Sequence, residues 1–130
     1  MSVWRRKAIE CMPDHRQEFE KKDTSIYEVF FTLLDETVRA HRSNDITKLR
    51  DYYAFAEWCL DQRATDLWNA AGVAFYEHLA DQEETLQAMP AWVKKSIYMR
   101  IRDLLVWRIG EDRVRHVDTL YQARSFSTKF

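Results

Sequence analysis

Apolar and polar positions follow each other along this chain with the period of an α-helix. Residues 25–42 show the pattern most clearly, because one side of a helical wheel collects apolar and aromatic side chains. That side consists of Tyr27, Phe30, Phe31, Leu34, Val38 and His41. The other side is polar and includes Asp35 and Arg39, whose i,i+4 spacing predicts an ion pair. We therefore expect the apolar side of this helix to pack on a core.

The same period predicts helices along most of the sequence. Their expected ranges are 2–12, 13–22, 25–42, 45–63, 66–80, 90–109 and 112–123, with a short helical turn near 82–88. Capping-box spacing occurs at Ser25 with Glu28 and at Asp81 with Glu84. Gly110 suits a C-terminal stop. Further N-cap residues are expected at Asn44 or Asp45 and at Thr65.

The turn residues point to the fold class. The chain has only two glycines and two prolines in 130 residues, whereas a sheet needs turn residues at short intervals. We predict an all-α single domain over 1–123, built from about six to seven helices as a bundle or as stacked helical hairpins. The last residues, 124–130, are expected to form a frayed tail.

Charge and cysteine content indicate the cellular compartment and the kind of partner to expect. Lys and Arg total 20 against 21 Asp and Glu, for a net charge of −1, which is neither strongly basic nor strongly acidic. Cys11 and Cys59 lie far apart among apolar neighbours, which indicates buried thiols in a reducing compartment. No apolar run reaches the roughly 18 residues of a membrane span, and the N-terminal segment lacks the apolar core of a signal peptide. These features predict a cytoplasmic protein without a membrane partner.

The adjacent Glu77 and His78 are the first candidates for chemistry. At about 100° per residue, consecutive helical side chains diverge, so we expect Glu77 in solvent and His78 in the interior. They would not form an acid–base pair. His78 could meet His41 and a carboxylate at a metal, but no HxxxH or ExxH spacing supports this. A hydrogen-bonded core histidine is preferred, and no cofactor is expected.

Motifs for catalysis are missing from the sequence. It contains no GxSxG, P-loop, GxGxxG or HExxH. A cysteine nucleophile would need a nearby base, and both Cys11 and Cys59 are predicted on apolar sides, where thiols are usually inert. We therefore predict that the chain is not an enzyme.

The segment 90–109 is apolar on two sides. Val93, Ile97, Ile101 and Leu104 form one stripe. The second stripe consists of Trp92, Met99 and Val106, with Lys95 and Arg102 at its border. Such a helix is either covered on both faces or carries a partner or dimer seam, where Trp, Met and Arg are enriched. Trp58, on the polar side of 45–63, poses the same choice between a covered side chain and a binding anchor.

Nucleic acid is a weaker interpretation of the same region. Its basic residues are spread around the helix rather than aligned, and acidic residues interrupt them, which is typical of a solvated face. The basic residues are Lys94, Lys95, Arg100, Arg102, Arg108, Arg113 and Arg115, and the acidic ones are Asp103, Glu111 and Asp112.

Three segments resemble a known group of proteins. "FFTLLDETVRAH", "YYAFAEWCLDQ" and "NAAGVAFYEHL", in that order, resemble a family of small uncharacterised bacterial all-helical proteins. The resemblance covers roughly residues 4–109 and implies a compact helical fold in the bacterial cytoplasm. It brings no activity and no catalytic residue with it.

These observations predict a non-catalytic protein-binding domain. Its most concrete form is a bacterial immunity or inhibitor-type accessory protein that covers the working surface of another protein. A homodimer is compatible with the same surface. A small nucleic-acid-binding regulator and a metal-binding helical bundle are the alternatives.

Overall fold

Helices make up the regular structure of the computed structural model, which describes the backbone of residues 1–127 and the side chains of residues 1–124. The α-helices are α1 Val3–Cys11, α2 Arg16–Phe19, α3 Ile26–Arg42, α4 Ile46–Leu60, α5 Thr65–Ala70, α6 Glu83–Gln87, α7 Met89–Trp92, α8 Lys95–Ile109 and α9 Glu111–Ser127. A 3-10 turn, Pro13–His15, precedes α2. A π-helical segment, Ala71–Tyr76, and a 3-10 segment, Glu77–Asp81, follow α5. No strand occurs in residues 1–127, so the all-α class is confirmed.

The chain divides into two compact units, Met1–Phe75 and the residues that begin at Tyr76. The single domain expected over 1–123 stays a prediction. The predicted end of the last helix at residue 123 is too early, because α9 continues through Ser127. The rest of the expected tail, 128–130, lies outside the described residues.

The core face of α3 differs from the predicted one. Its buried residues are Ile26, Val29, Phe30, Leu33, Thr37 and Ala40. Phe30 packs against Phe55 and Phe75, with ring centroids 5.6 and 6.1 Å away. Helix α3 points Phe30 at the centre of the core. Its neighbour Phe31 therefore faces outward and is 54% exposed. The expected Asp35–Arg39 pair is also wrong, since Arg39 pairs with Glu36 at 3.2 Å.

Helix starts were predicted well where a side chain reaches the first turn. Ser25 and Glu28 form a complete capping box, with bonds of 2.7 and 3.2 Å. Asp45 caps α4 by accepting from the Lys48 amide. Two other predictions are wrong, because the N-cap of α5 is Ala64 and that of α6 is Gln82, neither with a side-chain bond. The residues predicted for these two N-cap positions were Thr65 and Asp81.

The second unit is organised around α8 and α9. Gly110 ends α8 with a φ of +90°, a conformation that favours glycine, and so reverses the chain as predicted. Leu105, Val114 and Val117 are fully buried in this unit. Tyr98 of α8 stacks on Tyr121 of α9 at 4.2 Å between ring centroids.

No helix in the described part of the chain, residues 1–127, is both long enough and apolar enough to cross a bilayer.

Candidate functional site

The predicted helix over 90–109 is interrupted. Helix α7 ends at Trp92, Val93 is extended with φ −111° and ψ 118°, and α8 begins at Lys95. The Tyr121 hydroxyl donates to the Val93 carbonyl at 2.8 Å, which satisfies a backbone group freed by the break. Trp92 is half-buried and belongs to a different helix from Met99 and Val106. The continuous three-residue stripe is therefore wrong.

Helix α8 buries one side and exposes two large apolar side chains on the other. Ile97, Tyr98, Ile101 and Leu105 are buried. Met99 is 59% exposed and Trp107 is 81% exposed. We call the outward residues Lys95, Met99, Val106 and Trp107 the α8 surface; Lys95 is exposed and Val106 half-buried. At about 100° per residue they occupy the half of α8 turned away from its buried side.

Arg102, predicted at the edge of the partner surface, is held inside the second unit. Its guanidinium donates to both carboxylate oxygens of Asp118, at 3.1 and 2.7 Å, and to Glu111 at 3.1 Å. Asp118 also accepts from the buried Tyr98 hydroxyl. The bonds from Arg102 lower the pKa of Asp118, while burial and then the Asp118 bond raise the pKa of Tyr98. Arg102 therefore already has its counter-ions within this unit.

Several of the predicted residues meet at a cleft between α8 and α9. Its volume is about 260 Å³, and its lining includes three of the predicted residues, Lys95, Met99 and Arg102. Tyr98, Asp118, Tyr121 and Gln122 complete it. The cleft brings together part of the predicted surface, whereas Val106 and Trp92 do not line it.

A second charge network surrounds Asp81. Its carboxylate accepts two bonds from Arg108, one of them 3.1 Å long, and shares a hydrogen bond of 2.8 Å with Nδ1 of His78. Burial alone would raise the pKa of Asp81, but the bonds from Arg108 and His78 outweigh it, and the pKa is lowered. Arg113 likewise bonds Glu83 at 2.6 Å. Some of the basic residues that we expected on a solvated face therefore form ion pairs with carboxylates of the same unit.

The expected position of Glu77 in solvent is wrong, and His78 faces the interior only in part. Glu77 is buried, and His78 is half-buried with its ring bonded to Asp81. The reason is the backbone: Ala71–Tyr76 is π-helical and Glu77–Asp81 is 3-10. Neither has the 3.6 residues per turn on which the helical wheel rests. That the two side chains do not act as an acid–base pair stays a prediction.

His41, the other low-priority metal candidate, lies in the first unit. Its Nε2 shares a hydrogen bond of 2.8 Å with the Tyr53 hydroxyl, and the two rings meet edge-on. Among the described residues, no group of three or more His, Cys, Asp or Glu side chains could hold a metal ion.

Trp58, the remaining partner candidate, is half-buried in the first unit. It lines a cleft between α1 and α4 together with Lys7, Glu10, Cys11, Asp51, Ala54 and Phe55. Lys7 Nζ lies 5.0 Å from the centre of the Trp58 ring. The ring is thus neither fully covered nor a protruding anchor, but one wall of a cleft.

Trp107 and Asp118 were not singled out from the sequence. Trp107 follows Leu105 by two residues, or about 200° around a helix, so the wheel of α8 could have placed it opposite the core. Asp118 is different, because its contacts with Tyr98 and Arg102 depend on how α9 returns along α8. No local signal marks it.

A comparison with protein families gives a match over most of the chain. The model described as "Domain of unknown function (DUF7674)" matches residues 5–108. The chain belongs to the DUF7674 family. This confirms the resemblance to a family of small helical proteins without a known activity, and DUF7674 supplies no site residue. The match includes Trp107 and ends before Asp118 of α9. No curated protein and no solved structure matches the chain.

Proposed function

We propose that this DUF7674 chain is a non-catalytic protein-binding domain that presents the α8 surface to another protein. The observation that carries the proposal is the exposure of Trp107, at 81%, on the same helix as the 59% exposed Met99. Exposing large apolar side chains is unfavourable in water unless a partner covers them. Trp and Met are also enriched at protein interfaces, and Trp is frequent among the residues that dominate binding energy.

The ion pairs of the second unit support this assignment. Arg102 is bound by Asp118 and Glu111, and Arg108 by Asp81. These two arginines are therefore paired before any partner arrives, whereas Lys95 of the α8 surface is exposed. Paired arginines beside exposed apolar side chains favour a protein over nucleic acid, whose binding depends on several arginines and lysines that are free to contact phosphate.

The biological setting that we propose is an accessory protein of the bacterial cytoplasm, of the immunity or inhibitor type. The small size of the chain and the lack of a known catalytic motif in its sequence support this setting. Cys59 is buried and Cys11 half-buried, and both are free thiols, which fits a reducing compartment.

The test is capture from a cell lysate followed by binding measurements. Immobilised full-length chain should retain a specific protein, and Trp107→Ala should lose it. Trp68→Ala is the matched control, because Trp68 is 43% exposed but lies in the first unit. Retention of the same protein by Trp107→Ala would contradict the proposal. Loss through both variants would also contradict it, because the effect would not be specific to α8.

Self-association is measured in the same preparations by sedimentation equilibrium. A wild-type chain that is monomeric at the concentration used for capture supports a different protein as partner. A dimer that dissociates on Trp107→Ala would instead make a second copy of the chain the occupant of the α8 surface.

A further inference from the structure

The cleft between α1 and α4 in the first unit has an acidic and aromatic lining. Its volume is about 430 Å³, more than that of a single long side chain. Helix α1 contributes Lys7, Glu10 and Cys11, and α4 contributes Asp51, Ala54, Phe55 and Trp58. The two helices meet closely here, since the Cys11 thiol lies 3.6 Å from the Asp51 carbonyl oxygen. All of these residues belong to one unit.

One wall of this cleft already holds an ammonium group. Lys7 Nζ lies 5.0 Å from the centroid of the Trp58 ring. This is within the roughly 6 Å over which the negative face of an indole attracts a cation. The face of the Trp58 ring can therefore accommodate a lysine ammonium, because Lys7 already places one there.

The charges of the lining are not balanced. Glu10 and Asp51 are both exposed carboxylates, and Lys7 is the one cation in the lining, so two negative charges and one positive charge give a net charge of −1. Cys11 adds none, because burial, with a further contribution from the charge of Asp51, raises its pKa to about 12. The lining thus attracts a second cation.

We propose that the α1–α4 cleft binds a lysine side chain of a partner protein, whose ammonium replaces that of Lys7 on the Trp58 ring. Glu10 and Asp51 supply the counter-charge, and Ala54 and Phe55 offer apolar surface to the aliphatic stem. Lys7 acts as an internal competitor that a ligand displaces. The proposal goes beyond the α8 surface and does not depend on it, because the cleft is built from the first unit alone.

A nuclear magnetic resonance titration of the full chain tests this proposal. The probe is the tripeptide acetyl-Ala-Lys-Ala-amide, and the signal is the Trp58 indole N–H, identified by its loss in Trp58→Phe. We expect a saturable shift with this probe and none with its Nε-acetylated form, which lacks the charge. Glu10→Gln and Asp51→Asn should each weaken binding, and both lie at exposed positions where the fold is retained.

Lys7→Ala gives the most specific outcome. Removal of the internal competitor should tighten binding of the tripeptide by about two- to fivefold, the equivalent of one exposed cation–π contact. Lys22→Ala is the matched control, because it removes an equal charge from the first unit at a residue that does not line the cleft. Equal effects of the two variants would overturn the competitor role.

The remaining outcomes also decide the proposal. No shift with the lysine tripeptide, or an equal shift with its acetylated form, would overturn it. Saturation by spermidine without a response to the tripeptide would overturn the assignment to a protein partner. Failure of the α8 capture experiment has no bearing on these results, so the two proposals fail independently.

Discussion

The α1–α4 cleft of the first unit and the α8 surface of the second unit both carry a tryptophan, but their charges are arranged differently. Around α8, Arg102 and Arg108 are each bound to carboxylates of the same unit. In the cleft, two carboxylates share the lining with a single lysine. The two arginines beside the α8 surface are therefore paired, whereas the lining of the cleft has a net negative charge. The first favours an apolar partner surface, and the second favours a cation.

The largest effect on stability should come from breaking the ion pairs of the second unit. Asp118→Ala removes one of the two counter-ions of Arg102 and the charged acceptor of the Tyr98 hydroxyl, which keeps only the Val114 carbonyl at 3.3 Å. We expect it to lower the free energy of unfolding by about 2–3 kcal/mol, the range for hydrogen bonds to charged groups. Urea denaturation measures this. Asp112→Ala, at a fully exposed carboxylate, should change it by less than about 0.5 kcal/mol. Equal effects of the two variants would show that the contacts of Asp118 with Arg102 and Tyr98 do not stabilise the fold.

The same carboxylates should make stability depend on acid. The pKa values of Asp118 and Asp81 are lowered in the folded chain from the ordinary 3.8. A depressed folded pKa contributes stability that is present above the unfolded value and is lost as the pH falls through the folded one. We therefore expect the melting temperature to fall below about pH 4, and Asp118→Asn to flatten that part of the curve. An unchanged acid limb in Asp118→Asn would contradict this.

A smaller effect is expected at His78. Its bond to Asp81 is half-exposed, and Asp81 keeps two bonds from Arg108 when the imidazole is gone. His78→Gln should therefore cost only about 0.5–1 kcal/mol, less than a fully buried hydrogen bond with no alternative. Thermal denaturation at neutral pH measures it. A loss as large as that of Asp118→Ala would mean that His78 supports the unit in a way that its described contacts do not explain.

The smallest effect on stability should come from the cleft. The double variant Glu10→Gln with Asp51→Asn removes two exposed carboxylates. Within the part of the chain that the structure describes, no ion pair uses either of them. The free energy of unfolding should stay within about 0.5 kcal/mol of the wild type. A clear destabilisation would show that the negative charge has a structural role, and the contrast with the α8 surface would be lost.

Sequence periodicity was sufficient where the backbone keeps the geometry of an α-helix. It predicted α3 and its capping box because Ser25 and Glu28 are close in sequence and act on the same turn. It also placed the reversal at Gly110. Within α3 the pattern was less exact, since Phe31 is apolar yet exposed. Tertiary packing of Phe30 against Phe55 and Phe75 decided the direction of the core face.

Periodicity failed where the helix changes type or stops. The burial of Glu77 follows from the π-helical and 3-10 turns over 71–81, which the spacing of apolar residues does not predict. The break at Val93 separates Trp92 from α8, and the Val93 carbonyl accepts a bond from Tyr121, 28 residues further along the chain. Such contacts come from the return of α9 along α8. The α8 surface could therefore be predicted only in part, through Lys95, Met99 and Val106.

The most direct test of the central proposal is the affinity of the captured partner for purified Trp107→Ala. The account predicts at least about 30-fold weaker binding, corresponding to about 2 kcal/mol for a dominant interface residue. The melting temperature should be unchanged, because Trp107 is 81% exposed. Trp68→Ala should bind within about twofold of the wild type, well below one dominant contact. Wild-type affinity in Trp107→Ala would contradict the assignment of the α8 surface.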